Sequence, residues 1–408
     1  MKSWVKILIG LLLGVIVGLF MGPKAEIFAI FGTVFINLLT MLVILIIFSS
    51  LVVGICHMDD PKKLGRVGLR TLVFYILTTL IAIAIGLVLT MVLKPGVDLH
   101  LTNIQIEAID QSEIALGDFF LSLIPSNPFK AFSDGNVLQV IIFSIFLGVS
   151  MIFTGEKSKP LVNLLESVSQ TMHKMTHFVM LLAPYGVFAL IASTVGTIGL
   201  KIFLPLLKFL ACNYIGCLIQ LFVVFTFCLK YLAKVKVYPF FKGMKDAIVL
   251  AFTTSSSSAT LPVSLECSQK HLGVSEDISG FVLSLGSTIN MNGGSIGQVV
   301  SAIFIAQAYG IEIGITKIVV LFLVCLFSAI GAAGIPGTGL VMLSLVLGVM
   351  GLPLEGIALV AGVDRIREMM SAVVNVMGDA VAAVFVASKE KEIDLDTYHH
   401  STWMDSDI

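Results

Sequence analysis

Charge is scarce in this chain: Asp, Glu, Lys and Arg together make up 12% of its 408 residues. Soluble domains carry about twice that fraction. With 57% hydrophobic residues and a mean hydropathy of +1.03, the chain has more apolar surface than a water-soluble fold of this size can hide. The same figures exclude intrinsic disorder. A basic excess is also missing, because 25 Lys and Arg stand against 26 Asp and Glu, which argues against nucleic-acid binding. The six cysteines form no CxxC pair and no Cys/His ligand spacing, so they read as small buried hydrophobes. The seven histidines are scattered, and no catalytic triad, HExxH or phosphate loop is present. An integral membrane protein remains.

A bilayer core takes about 20 apolar helical residues. The run 5–21 is too long for a signal-peptide core and has no small-x-small cleavage site after it, so it is predicted to span. Further spans are predicted at 27–55, 71–93, 137–153, 172–195 and 203–229. Beyond them the apolar pattern continues to about 387 but is interrupted by Ser, Gly, Asn and Pro, and the polar stretch 394–408 reads as a disordered tail. Basic residues cluster on one side: Lys2 and Lys6, then Lys62, Lys63, Arg66 and Arg70, then Lys157 and Lys159, then Lys230, Lys234, Lys236, Lys242 and Lys245. The opposite connections are poorer in charge, with Lys24 after the first span and Lys201 after the fifth, and the segment 94–136 carries the acids Asp110, Glu113 and Asp118. By the positive-inside rule the N-terminus is expected in the cytoplasm.

Four features in the C-terminal half do not fit plain spanning helix. The hydroxyl run 253–258, with Pro262 close behind, favours non-helical backbone, which at membrane depth survives only inside protein or along a cavity. It also fits a cytoplasmic loop. The stretch Gly331-Ala332-Ala333-Gly334-Ile335-Pro336-Gly337-Thr338-Gly339 divides 317–352 into halves too short to cross alone. Two broken segments suggest an inverted repeat with tips meeting near the midplane, although closely packed helices would also use such small residues. Asn290-Met291-Asn292-Gly293-Gly294 offers amide and backbone oxygens suited to alkali cations, or amides that merely bridge helices. The last apolar segment, 357–387, holds Asp364, Arg365, Arg367, Glu368, Asn375 and Asp379. At about 100° per residue, Asp364, Asn375, Glu368 and Asp379 fall within about 60° of one another on one stripe. Charges at this depth mark a transport path more often than a structural ion-pair network.

On these residues the chain resembles the dicarboxylate/amino acid:cation symporter family, which contains glutamate and neutral amino acid transporters. The likeness rests on the serine-rich tip Ser255 to Ser258, Asn-Met-x-Gly at 290–293, Gly-x-Pro-Gly at 334–337 and Asn375-Val376-Met377-Gly378-Asp379. Asn127-Pro128 and Gly135-Asn136-Val137-Leu138 look like the lead-in to the family's fourth span, and Ala183-Pro184-Tyr185-Gly186-Val187-Phe188 like its fifth. The resemblance implies an all-α polytopic membrane protein with eight transmembrane helices and two re-entrant hairpins. It implies a homotrimer with scaffold spans in 1–229, a sliding transport core in 230–390 to which span three (71–93) contributes, and a tail at 391–408. The core would move as an elevator with the second hairpin as gate, and no cofactor beyond the transported Na+ or H+ is expected.

Carried over residue by residue, the resemblance places one sodium ion on carbonyls of Gly286, Asn290 and Asn375 with the Asp379 carboxylate. A second falls on carbonyls around Thr288, Ala329, Ile330 and Ala332. A third falls on Tyr75, Thr78, Thr79 and Asn290, with Asn292 where the family has a carboxylate. Substrate contacts fall on the tip serines Ser256, Ser257 and Ser258, on Gly334, Ile335 and Pro336 of the second tip, and on Gly294, Glu368, Ser371, Ala372 and Asn375. Glu368 stands for the family aspartate that grips the substrate amino group, and Ser371 for the arginine that reads a side-chain carboxylate. Serine cannot replace that charge, so a small neutral amino acid is expected unless Arg365 or Arg367 reaches in. Proton coupling through Glu368, acidic amino acid or C4-dicarboxylate cargo, and a channel are the alternatives. A serine hydrolase is set aside because no base accompanies the serines. The compact length suits a bacterial inner-membrane protein with both termini in the cytoplasm.

Overall fold

The computed structural model describes residues 3–56, 64–99, 101, 124–198, 202–331 and 337–400. Almost everything described is helical, as hydrocarbon demands of a chain that must satisfy its backbone internally. The helices are α1 (Ser3–Met21), α2 (Ala29–Cys56), α3 (Leu64–Leu93), the short α4 (Pro128–Ser133), α5 (Val137–Thr154) and α6 (Lys159–Ile198). They continue with α7 (Phe203–Ala233), α8 (Val237–Gly243), α9 (Lys245–Thr254), α10 (Ser257–Glu266), α11 (Glu276–Ile289) and α12 (Asn292–Ala308). The last are α13 (Ile315–Gly331), α14 (Thr338–Met350), α15 (Ile357–Ala361), α16 (Asp364–Glu390) and α17 (Leu395–His400). Among the described residues, four stretches are long and apolar enough to cross a bilayer: Ile9–Phe35, Arg66–Leu93, Phe203–Ala233 and Asp364–Glu390.

These four differ in their surroundings. Only 17% of the first stretch's most apolar window is buried, against 83% for Asp364–Glu390. The helix that carries the charges is thus enclosed by protein, where α3, α9, α11 and α12 pack around it. The α1 and α2 helices pack instead along α6, a 40-residue helix that runs through Pro184 and includes the fifth predicted span. At Gly10 a side chain would collide with the Pro184 carbonyl, so that seam depends on small residues. The two asparagines of the fourth-span lead-in both act as helix caps. Asn127 Oδ1 accepts from Phe129 and Lys130 N–H, and Asn136 Oδ1 accepts from Gln139 N–H at 3.3 Å.

The predicted interruptions fall where expected, but the first is shorter. Helix α9 continues to Thr254, Ser255 turns left-handed (φ 53°), and Ser256 caps α10 by accepting from Ala259 N–H at 3.1 Å. Thr253 and Thr254 end α9 and Thr260 lies in α10, each donating its hydroxyl to the carbonyl four residues back, so only Ser255 and Ser256 leave the helical path. The second interruption separates α13 from α14, and residues 332–336 lie outside the described residues. A third divides α11 from α12 at Asn290 and Met291.

The disordered-tail expectation is corrected over residues 394–400. Val274 and Ile393 form an isolated bridge, Asp394 N–H donates to Gly273 O at 2.8 Å, and α17 follows. Tyr398 is fully buried and donates its hydroxyl to Lys236 O at 2.8 Å. The base of the bundle is closed by Glu390, which accepts from Arg66 at 2.7 Å and pairs with Arg70. Residues 401–408, the acids Asp110, Glu113 and Asp118, and Lys2, Lys62, Lys63 and Lys201 lie outside the described residues.

Candidate functional site

Helix α16 carries the site because its polar stripe faces the interrupted helices rather than lipid. A cavity of about 50 Å³ opens between the N-terminal ends of α10, α12 and α14 and the N-terminal half of α16. Of the residues expected at a substrate, Ser257, Gly294, Glu368, Ser371, Ala372 and Asn375 line it. Ser256 is spent on capping α10, and Ser258 does not line the cavity. Gly334, Ile335 and Pro336 lie outside the described residues. Sequence reasoning did not single out Ser255, Gln298, Thr338 or Gly339 as lining residues, and it gave Arg367 only a conditional part. Among the described residues, Ser255 Oγ and Gln298 Oε1 are buried with no hydrogen-bond partner. Buried polar atoms left unmade in this way are a reason to expect a ligand or water there.

The charged groups occur in two pairs. Asp364 and Arg367 are 4% and 3% exposed and meet at 2.6–2.7 Å. Arg365 lies 3.7 Å from Glu368 and donates to Thr254 O at 3.0 Å, which links α16 to the tip of α9. Glu368 accepts backbone N–H from Gly337 at 3.2 Å and from Gly339 at 3.3 Å, at the start of α14. A carboxylate at a helix N-terminus is favourably placed against the backbone dipoles. The formal charges of Asp364, Arg365, Arg367 and Glu368 sum to zero.

Asp379 belongs to a second polar cluster further along α16. It accepts from Asn290 Nδ2 at 2.8 Å, while Asn290 Oδ1 has no partner among the described residues. Gly286 is required at this point, because a β-carbon there would overlap both the Asp379 carboxylate and the Tyr75 hydroxyl. Tyr75 donates to Val282 O at 2.8 Å. Thr79 donates to Asn292 Oδ1 at 2.7 Å, and Asn292 Nδ2 donates to Thr78 Oγ1 at 3.3 Å. Between the two clusters, Asn375 accepts from Gly293 N–H at 2.8 Å and holds α16 against the α12 interruption.

The remaining expected cation residues are less tightly gathered. Thr288 donates to Leu285 O at 3.0 Å within its own helix. Ala329 and Ile330 end α13, which packs on α11, and Ala332 lies outside the described residues. The stripe read from the sequence therefore divides, with Glu368 in the cavity and Asp379 in the oxygen-rich cluster. Carboxylate and amide oxygens suit alkali cations, and a carboxylate beside backbone N–H groups suits a zwitterion.

Comparison with known proteins places nearly the whole chain beside one family. Residues 4–389 match the profile described as the sodium:dicarboxylate symporter family. A proton/sodium-glutamate symport protein of Geobacillus stearothermophilus is 36% identical over 399 residues, covering 95% of this chain and 94% of the relative. A proton/glutamate-aspartate symporter of Escherichia coli K12 is 36% identical over 374 residues, with 89% and 85% covered. A C4-dicarboxylate transport protein of Bacillus subtilis is 32% identical over 397 residues, with 96% and 94% covered.

Proposed function

The chain belongs to the sodium:dicarboxylate symporter family, and from that membership we propose that it is a secondary transporter carrying an acidic amino acid together with sodium. Cation-coupled symport through a multi-pass membrane protein, without enzymatic chemistry, comes with the family. The relatives' cargoes of glutamate, aspartate and C4-dicarboxylates favour an anionic cargo over the neutral one expected from Ser371. Glu368 is the observation that carries the reading. A carboxylate facing the cavity complements a substrate ammonium and repels a dicarboxylate that lacks one. Sodium is favoured over protons by the oxygen cluster of Asp379, Asn290 and Tyr75, and Glu368 is the residue through which protons would couple instead.

In this reading, α9–α10 and α13–α14 are the two re-entrant hairpins, and α11, α12 and α16 complete a core that slides against α1, α2 and α6. The reading also includes a homotrimer in a bacterial inner membrane, with the cytoplasmic termini that the distribution of basic residues supports. Ser371 supports a second reading, a neutral amino acid, since a hydroxyl stands where a carboxylate reader is expected.

The test is uptake of labelled glutamate into liposomes containing the purified protein, under an inward sodium gradient. Accumulation above the outside concentration is the expected result. Equilibration without accumulation would mean a channel.

A further inference from the structure

The cavity holds a cationic side chain with donors to spare. Asp364 engages Arg367 through Nε and one terminal nitrogen, both directed at a single carboxylate oxygen. A guanidinium has five N–H donors, and that of Arg367 makes no other hydrogen bond among the described residues. The residue is 3% exposed and lines the cavity beside Glu368. Buried donors of this kind are nearly always paired.

The neighbouring backbone is shaped to this guanidinium. A β-carbon at Gly297 on α12 would collide with one terminal nitrogen, and a β-carbon at Gly339 at the start of α14 would collide with the other. Two glycines on two different helices thus leave the slot in which the planar group lies. Gln298, next to Gly297, lines the same cavity, and its buried Oε1 has no partner among the described residues. Ser371, one turn further along α16, donates its hydroxyl to Arg367 O at 3.1 Å and brings no charge. Side chains on a helix lean toward its N-terminus. A long cation at position 371 would therefore reach back over the turn 364–368, where the guanidinium of Arg367 already sits.

We infer that Arg367 is the specificity-determining residue of the cavity: its free N–H donors take the side-chain carboxylate of an acidic amino acid whose ammonium is held by Glu368. Asp364 is a positioning residue that fixes the plane of the guanidinium. The preference for an acidic cargo has moved one helical turn, from position 371 to position 367. The cavity's own charges cancel, so the extra negative charge of the cargo is balanced by the cation carried with it. This inference rests on the amino acid symport proposed above and names the residue that selects within it.

The experiment compares uptake of aspartate, glutamate, serine and alanine in liposomes containing purified full-length protein. The variants are Arg367→Lys, Arg367→Leu with Asp364→Asn, and Arg367→Leu with Ser371→Arg. The wild type is expected to prefer the acidic cargoes. Arg367→Lys keeps the charge but not the fork, so it raises KM for aspartate by a larger factor than KM for serine. Removing the pair lowers the aspartate-to-serine ratio by about 30-fold or more, as expected when a buried charge partner is lost. Returning the arginine at position 371 restores the ratio. A wild type that prefers serine or alanine overturns the inference, as do Arg367 variants, Lys included, that depress all four cargoes alike. A wild type that accumulates no amino acid contradicts the proposed function itself, a failure distinguishable from either of these.

Discussion

Thr79 on α3 donates a 2.7 Å hydrogen bond to the side-chain oxygen of Asn292 on α12, and the Asn292 amide nitrogen donates in turn to Thr78 Oγ1. Both ends of a fully buried amide are thereby used inside the protein. A carboxylate at this position would add a negative charge and no donor, and would need a cation to offset its burial. The amide needs none. Asn292→Asp should therefore create an additional sodium requirement, steepening the sodium dependence of initial uptake rates by about one unit of Hill coefficient. An unchanged slope in a folded, active variant would count against the assignment.

Asp379 should govern sodium binding. It is 3% exposed, and Asn290 is its hydrogen-bond partner in the oxygen-rich cluster. A ligand that binds only the folded protein raises its melting temperature. The wild type should gain thermal stability on adding sodium in place of a large organic cation, and Asp379→Asn should lose that gain along with sodium-driven uptake. A full sodium-induced shift in the variant would move the cation elsewhere.

Glu368 separates the two coupling schemes. With sodium as the driving ion, Glu368→Gln weakens amino acid binding by about 30-fold or more, because the charge partner of the substrate ammonium is gone. With protons as the driving ion, the same variant abolishes net uptake but still exchanges internal for external substrate. Proton-driven net uptake retained in Glu368→Gln would remove this residue as the proton carrier.

The C-terminal segment should respond to acid. The Thr397 hydroxyl and the N–H groups of Thr397 and Asp396 hold the Asp394 carboxyl below the usual carboxylate range. A carboxylate with a lowered folded value stabilises the fold above its unfolded value of about 3.9, and that contribution is lost as pH falls through the folded value. At neutral pH the cap on α17 is thus fully formed. Asp394→Ala should expose 395–400 to protease at pH 7, whereas the wild type should become sensitive there only in strong acid. Tyr398→Phe, which loses the bond to Lys236 O, should cost about 1 kcal/mol and sensitise the same segment.

Much of the architecture was legible because hydrocarbon leaves few options. Apolar length marked long helices such as Arg66–Leu93 and Phe203–Ala233, and Ser, Gly and Asn marked the interruptions at 255–256 and 290–291. The 100° periodicity put Asp364, Glu368, Asn375 and Asp379 on one stripe, and that stripe is enclosed by protein. What could not be read was which partners long-range packing would supply. Arg367 looks like an ordinary flanking cation until Gly297 and Gly339, from two other helices, are seen to shape its slot. Gln298 lies one turn beyond Gly294, yet nothing in its local sequence shows that its oxygen goes unpartnered. The tail looked disordered because its polarity says nothing of the buried Tyr398 or of the Val274 bridge.

Competition among labelled amino acids for uptake into liposomes, under an imposed sodium gradient and separately under a proton gradient, tests the central claim most directly. The account predicts concentrative uptake of aspartate or glutamate driven by sodium, with serine, alanine and succinate competing poorly. Uptake driven by protons alone, or competition won by serine, alanine or succinate, would contradict it.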